Sequence, residues 1–517
     1  MVFTNLKPPG DASGATDGNT AATTTFGEQS VVELTPVAQG DFVHGINPQV
    51  FNSNSFAGGT TSVEQNMAVL ESGTSASGSA VVQLRRTLKY KAGQGALMRA
   101  TALFGTGSIA GSHPTTSAQF IGMGNSESGY FVGYFGGAFG ILHSKTGARE
   151  VQTLTVGTAA GTEAVTVTLN GDSIVVPVTG GASTTQTAYQ LAQANYRELG
   201  PTGWIADVKG STVTFISARA GSYSGGSFSV TSSGTISGTF AQTIEGVAQE
   251  NDFVLQSQFN ADTLDGNGRS GMVLDTDKGN VFQIGFQYLG FGNAQFAIEN
   301  PETGRFVTFH QVKNANSLTK PVLKNPNVSI LATSSNIGPA PESVKLKTAS
   351  MVAFTEGKVA KLDPKFAKSR IFTSSETFYQ PALLLKVDRI FNNLSCYGSF
   401  QILKIAGSND SPSSTPKTLT IGLFLNEAVD GDVDFQTIKS GESLVCAAEL
   451  DLATNTIPNA SATPFYELVI GAGSSNTVDL SDLDFSFGPG ETVLVAVKGS
   501  DGTNIAGGVS FNWYEQQ

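Results

Sequence analysis

The sequence predicts a mainly β protein: several β-sandwiches in one chain, with a small α+β module inserted into the first. Three observations carry this. Apolar and polar residues alternate in short runs such as AVVQLRR, ALMRATALFG and NVFQIGFQ, the period of a half-buried strand. Between the runs stand paired glycines and Asn-Gly or Asp-Gly steps, the residues that tight hairpins require. One stretch, STTQTAYQLAQANYREL, carries a persuasive helical period.

At 517 residues the chain is too long for a single core. Its 60 glycines follow no three-residue period and apolar residues recur throughout, which excludes collagen-like and disordered chains. A net charge of −12 argues against nucleic acid or anionic lipid as partners. The cluster Arg85, Arg86, Lys89 and Lys91 is a local exception, read as a solvated strand face. Cys396 and Cys446 make neither a disulfide framework nor a zinc pattern. No apolar run is long enough to span a bilayer, and MVFTNLKPPGDASG lacks the features of a signal peptide. The expectation is folding in a cytoplasm, then assembly into something larger.

Residues 1–55 begin Gly/Thr/Ala-rich and show no self-contained core, so they read as a docking arm. Strands follow near 79–90, 95–105, 117–124, 129–135 and 138–143, where Gly-Tyr-Phe and Gly-Tyr-Phe-Gly-Gly set rings beside residues without side chains, as a curved, packed sheet needs. At Glu150 the character changes. EVQTLTVGTAAGTEAVTVTLNGDSIVVPVTG reads as two strands with a hairpin at Asn170-Gly171. The helix is expected to be capped by Thr184 or Thr185, to face inward through Ala188, Leu191, Ala192 and Tyr196, and to stop at Gly200-Pro201. With the strands that follow it, this makes an inserted ββαββ module over 151–247. Neither flank suffices alone, so 56–150 and 248–357 form one discontinuous sandwich. Residues 358–374 read as a basic linker, and 375–517, with about seven strands, as a second sandwich.

These residues carry a resemblance. TVTLNGDSIVVPVTG…AYQLAQA…GWIADVKGSTVTFISARAG resembles a small domain that recurs in structural proteins of tailed bacteriophages. GYFVGYFGGAFGILH and GNVFQIGFQYLGFG are similar to virion structural proteins of phages and large DNA viruses with a concanavalin-like or jelly-roll sandwich, and PGETVLVAVKGSDG…GGVSFNWYEQQ is similar to their closing strands. The resemblance implies a non-enzymatic virion protein exposed on the particle as a tail fibre, tail tip or capsid spike, acting in assembly and host attachment. Its implied partners are other virion proteins, further copies of itself (a trimer by preference) and a host surface glycan or receptor, without nucleic acid or membrane insertion. A capsid cement or minor capsid protein and a virion-borne polysaccharide depolymerase stay open as alternatives.

The chemistry searched for is sparse. His44, His113, His143 and His310 are scattered, without metal or triad spacing. Glu127, Asp262, Asp265, Asp275, Asp277 and Glu299 form no alternating pattern that would aim two carboxylates into one groove, as glycan hydrolysis requires. No cofactor is expected. The oxygen-rich turns at Asp262, Asp265 and Asn267, and at Asp430, Asp432 and Asp434, are the calcium candidates, with Asp/Asn-Gly turn chemistry as the competing explanation. GYFGGAFG has no Gly-Lys-Ser/Thr and no following helix, which excludes a phosphate loop. Tyr130, Tyr134, Phe135, Tyr288 and Phe291 are the candidates for stacking on a glycan or partner, with core packing as the alternative.

Overall fold

A computed structural model describes residues 33–105, 113–145, 147–180, 183–200, 202–223, 225–357, 363–412, 414, 417–481, 483 and 485–516. Residues 1–32 of the expected arm, 358–362 of the expected linker and Pro201 lie outside these. The architecture is mainly β, two sandwiches with a small α+β module inserted in the first.

The first sandwich pairs a seven-stranded with a nine-stranded antiparallel sheet. The seven run in the order Glu250–Leu255, Ala138–Lys145, Gly129–Phe135, Ser117–Gly124, Ser329–Asn336, Ser79–Leu84 and Phe51–Phe56. The nine centre on Ala96–Gly105, flanked by Asn280–Phe286, Lys345–Thr348 and Ser350–Glu356. Along Ala96–Gly105 buried and half-buried residues alternate, as the period-two pattern demands. Its inward side chains Met98 and Phe104 meet Ile121, Val132, Ile141 and Phe282 in one core. Leu34–Asp41 pairs with Ser350–Glu356, and Phe51–Phe56 with Ser79–Leu84, so these pieces of the expected arm are edge strands of the sandwich. Gly133 lies at φ +151°, and a Cβ there would collide with the Gln119 carbonyl. The glycine between the rings of Gly129–Phe135 thus permits close strand approach.

The module holds seven strands where four were expected. What reads as one strand after Glu150 is two, Arg149–Thr158 and Glu163–Leu169, because the chain leaves the sheet at Ala160 and Gly161; the Ala160 N–H donates instead to Thr187 Oγ1 at 3.1 Å. Asn170 and Gly171 take φ +55° and +92° and close the hairpin to Asp172–Val178. The helix Thr184–Ala192 is capped by Ser183, whose Oγ accepts the Gln186 N–H at 3.0 Å, one residue earlier than expected. It ends at Ala192, well before Gly200, and Tyr196 packs beyond it with its hydroxyl donating to the Leu191 carbonyl at 2.8 Å.

The second sandwich pairs a five-stranded with a six-stranded sheet. Ten residues of the expected linker, Lys365–Ser374, form its edge strand, in register with Ile505–Gln516 from Lys365–Tyr514 to Ser374–Ile505. Of the basic residues in KFAKSRIFTS only Lys365 is exposed; Lys368 and Arg370 fall on the same face as Phe366 and Phe372 and both pair with Glu449. In the six-stranded sheet, Gln380–Val387 is buried on both faces. Leu383, Leu385 and Val387 enter the sandwich core, while Leu384, with Phe424, Leu494 and Ala496, packs against Leu154, Tyr189 and Leu191 of the module. The insertion in the first sandwich therefore covers the outer face of the second, and a continuous apolar run is what such a strand requires.

Candidate functional site

The structure separates the five aromatic candidates. Tyr130 is 1 % exposed, its ring stacked 4.6 Å from His143, and it is a core residue with no face for a ligand. Tyr134 stacks on His113 at 3.4 Å and shares a 2.8 Å hydrogen bond with Thr276 Oγ1. Tyr288 lies edge-on to Tyr90 and donates to the Leu323 carbonyl at 2.8 Å. Phe135 and Phe291 are exposed, with no ring contact joining them among the described residues. The alternation that marks a strand does not say which side is open, and Gly129–Val132 is buried on both.

The carboxylates of the oxygen-rich turns are taken up by donors of the protein itself. Asp262 is buried, its Oδ1 accepting the Leu264 N–H at 2.9 Å and Oδ2 the Ser270 N–H at 2.8 Å. Asp265 Oδ1 accepts Thr263 Oγ1 and the Asn267 N–H at 2.7 and 3.0 Å, the hydroxyl first in holding its pKa below the usual carboxylate value. Asp432 receives Ser183 Oγ and Thr185 Oγ1 at 2.9 and 2.8 Å, fastening the helix start to the second sandwich. Among the described residues no group of three or more His, Cys, Asp or Glu is placed to hold a metal ion.

The basic cluster is a joint between the sandwiches rather than a solvated face. Arg85 pairs with Glu491 and Lys91 with Asp363, while Lys89 donates to the Tyr397 carbonyl. Burial lowers the Lys89 pKa to about 8; Cys396 opposes this, Lys91 adds to it and Asp363 opposes it. Arg86 stays exposed. The sequence missed the joint because its acceptors stand hundreds of residues away, Glu491 being 406 positions from Arg85.

Beside this joint runs a groove of about 690 Å³ between the sandwiches. Arg86 and Lys91 stand on one wall, and Phe465, Leu483, Phe485 and Tyr514 on the other. Phe465 is 36 % exposed and meets Phe485 edge to face at 5.1 Å, and Leu483 is 54 % exposed. Leu483 and Phe485 come from SDLDFSFGPG, a stretch assigned to no strand in the sequence; the alternating Leu483, Phe485 and Phe487 were the available signal. A concave site between domains with rings on one side and cations on the other can seat an extended polar ligand.

No protein-family model matches the chain, and no curated protein matches it. Similar solved structures include an endo-1,3-beta-glucanase from Streptomyces sioyaensis, at 8 % identity over 63 % of this chain and 97 % of that one, TM-score 0.30. Lectin UEA-II, complexed with galactose, is similar at 8 % identity over 62 % of this chain and 99 % of that one, TM-score 0.22. The winged bean acidic lectin, complexed with methyl-alpha-D-galactose, is similar at 10 % identity over 62 % and 99 %, TM-score 0.22. At these scores none of the three bears on what this chain does.

Proposed function

We propose that this chain is a virion structural protein carried on the particle surface, as a tail fibre, tail tip or capsid spike, and that it acts in assembly and host attachment. One observation carries the reading: the module and the second sandwich share a continuous apolar core and a buried ion pair, and Arg85–Glu491 ties the first sandwich to the second, which leaves the inter-sandwich groove on a stiff body. A stiff body suits a protein whose work is to hold a contact surface at a fixed place. The resemblance of GYFVGYFGGAFGILH and GNVFQIGFQYLGFG to virion proteins supports the same reading. The groove is the attachment surface, its ligand an extended host glycan, and a symmetric homo-oligomer multiplies weak contacts into avidity.

Two measurements test this. Cryo-electron microscopy of the native particle should place this double sandwich at a tail or vertex projection; density lying flat between capsomers would make it a cement protein instead. Purified protein should block particle adsorption, and Phe465→Ala with Leu483→Ser should weaken that block at least tenfold. Full blocking by the double variant would remove the groove from the reading.

A further inference from the structure

A second cavity, of about 640 Å³, lies where the two sandwiches and the module meet. Two of its carboxylates are already committed: Asp207 to Lys386 at 2.5 Å, and Glu491 to Arg85. Three arginines from different places in the chain remain: Arg149 at the root of the module, Arg197 after its helix and Arg389 beside the second sandwich. Glu427 is the one further Asp or Glu among the described residues lining the cavity.

Each guanidinium is held by what surrounds it. Arg149 Nε donates to the Ser217 carbonyl at 2.6 Å, while its Nη2 is buried without a hydrogen-bond partner among the described residues. Arg197, at the exposed rim, reaches Asn54 Oδ1 at 3.3 Å. Arg389 lies flat on Gly490, where φ is +78° and a Cβ would collide with the guanidinium. Burial, with Arg389, lowers the Arg149 pKa against the pull of Tyr397 and Glu127; burial, then Arg389 and Arg149, lowers that of Arg197. Like charges gathered on one space, with Arg149 desolvated among them, are costly unless an anion joins them, and the planar arginine fork matches an oxyanion's geometry.

We infer that this cavity binds a tetrahedral oxyanion, a phosphate or sulfate group, between Arg149, Arg197 and Arg389. The arginines come from the module and the second sandwich, and Asn54 from the first, so the anion is a tie across all three units. The inference stands apart from the groove: either can fail without the other.

The test is calorimetric titration of the full chain with inorganic phosphate and with inorganic sulfate, alongside thermal unfolding in each against chloride at equal ionic strength. The expected result is saturable binding and a rise in Tm, both lost in Arg389→Gln and in Arg197→Gln. Arg389→Lys, which keeps the charge but not the fork, should bind at least tenfold more weakly. No saturable binding by the parent protein, or binding unchanged in both glutamine variants, would overturn the site. Should Arg389→Gln fail to fold, Arg197→Gln at the rim decides alone. Glucose 6-phosphate and a sulfated disaccharide separate the sources: tighter binding than the inorganic ions assigns the site to an esterified glycan, weaker binding to the free anion.

Discussion

Lys386 Nζ sits 2.5 Å from Asp207 Oδ1, joining the second sandwich to the inserted module across 179 positions of sequence. The same ammonium donates to the Val208 carbonyl at 2.5 Å and stands 4.4 Å from the centre of the Phe435 ring. Burial works to raise the Asp207 pKa, but Lys386 and Arg389 outweigh it and leave the carboxyl below its usual range. Burial likewise works against the charge on Lys386 and is outweighed first by Asp207.

A buried pair this well bonded is costly to break from one side. Lys386→Ala or Asp207→Ala should destabilise the chain by about 3–5 kcal/mol, while Lys386→Met with Asp207→Leu should cost distinctly less. Urea unfolding of the three variants checks this; equal losses in all three would mean that packing, not orphaned charge, sets the penalty.

His143 should make stability depend on pH. Its ring is 2 % exposed, and burial, aided by Lys145, lowers its pKa from 6.5 to about 4. Below pH 6.5 the unfolded chain takes up a proton that the native ring refuses until about pH 4, so stability falls as pH drops through that window. The share of that loss due to His143 should be about 2–2.5 kcal/mol between pH 7 and 4.5 and should be missing in His143→Gln, read from urea midpoints at the two pH values.

Gly133→Ala should destabilise by about 1–3 kcal/mol, because its left-handed backbone and the Gln119 carbonyl both exclude a methyl group. Gly285→Ala is the control: an added Cβ there meets nothing nearer than 3.8 Å, and thermal unfolding should show little change.

Ser183→Ala should cost about 1 kcal/mol, the worth of a helix cap, plus part of the tie to Asp432. If Asp432→Ala relieves none of that loss in a double-mutant cycle, the two contacts are independent.

The strands were legible wherever one face is wet, as along Ala96–Gly105, because alternation reports a half-buried surface. It fails at Tyr130, where both faces are covered, and at LLLKV, where the run announces a doubly buried strand without naming the module as its cover. Lys365–Ser374 reads as a linker because Lys368 and Arg370 interrupt its inward-facing positions, and the Glu449 that pairs with them stands 79 positions from Arg370. The three arginines of the junction were invisible in the sequence because each stands alone locally, and only the docking of module on sandwich gathers them.

The module leaves and re-enters the first sandwich through a neck where Ala148 and Val247 exchange both backbone hydrogen bonds at 2.9 Å. During synthesis that neck closes long before the module's partner exists. Gln380–Val387, the first central strand to cover Leu154 and Tyr189, emerges about 130 residues after Val247, which at ~5–20 residues per second is roughly 7–27 seconds of translation. For that interval the nascent chain carries a finished apolar face with nothing on it, which makes the pace of elongation and the availability of chaperones part of how this protein reaches its native state.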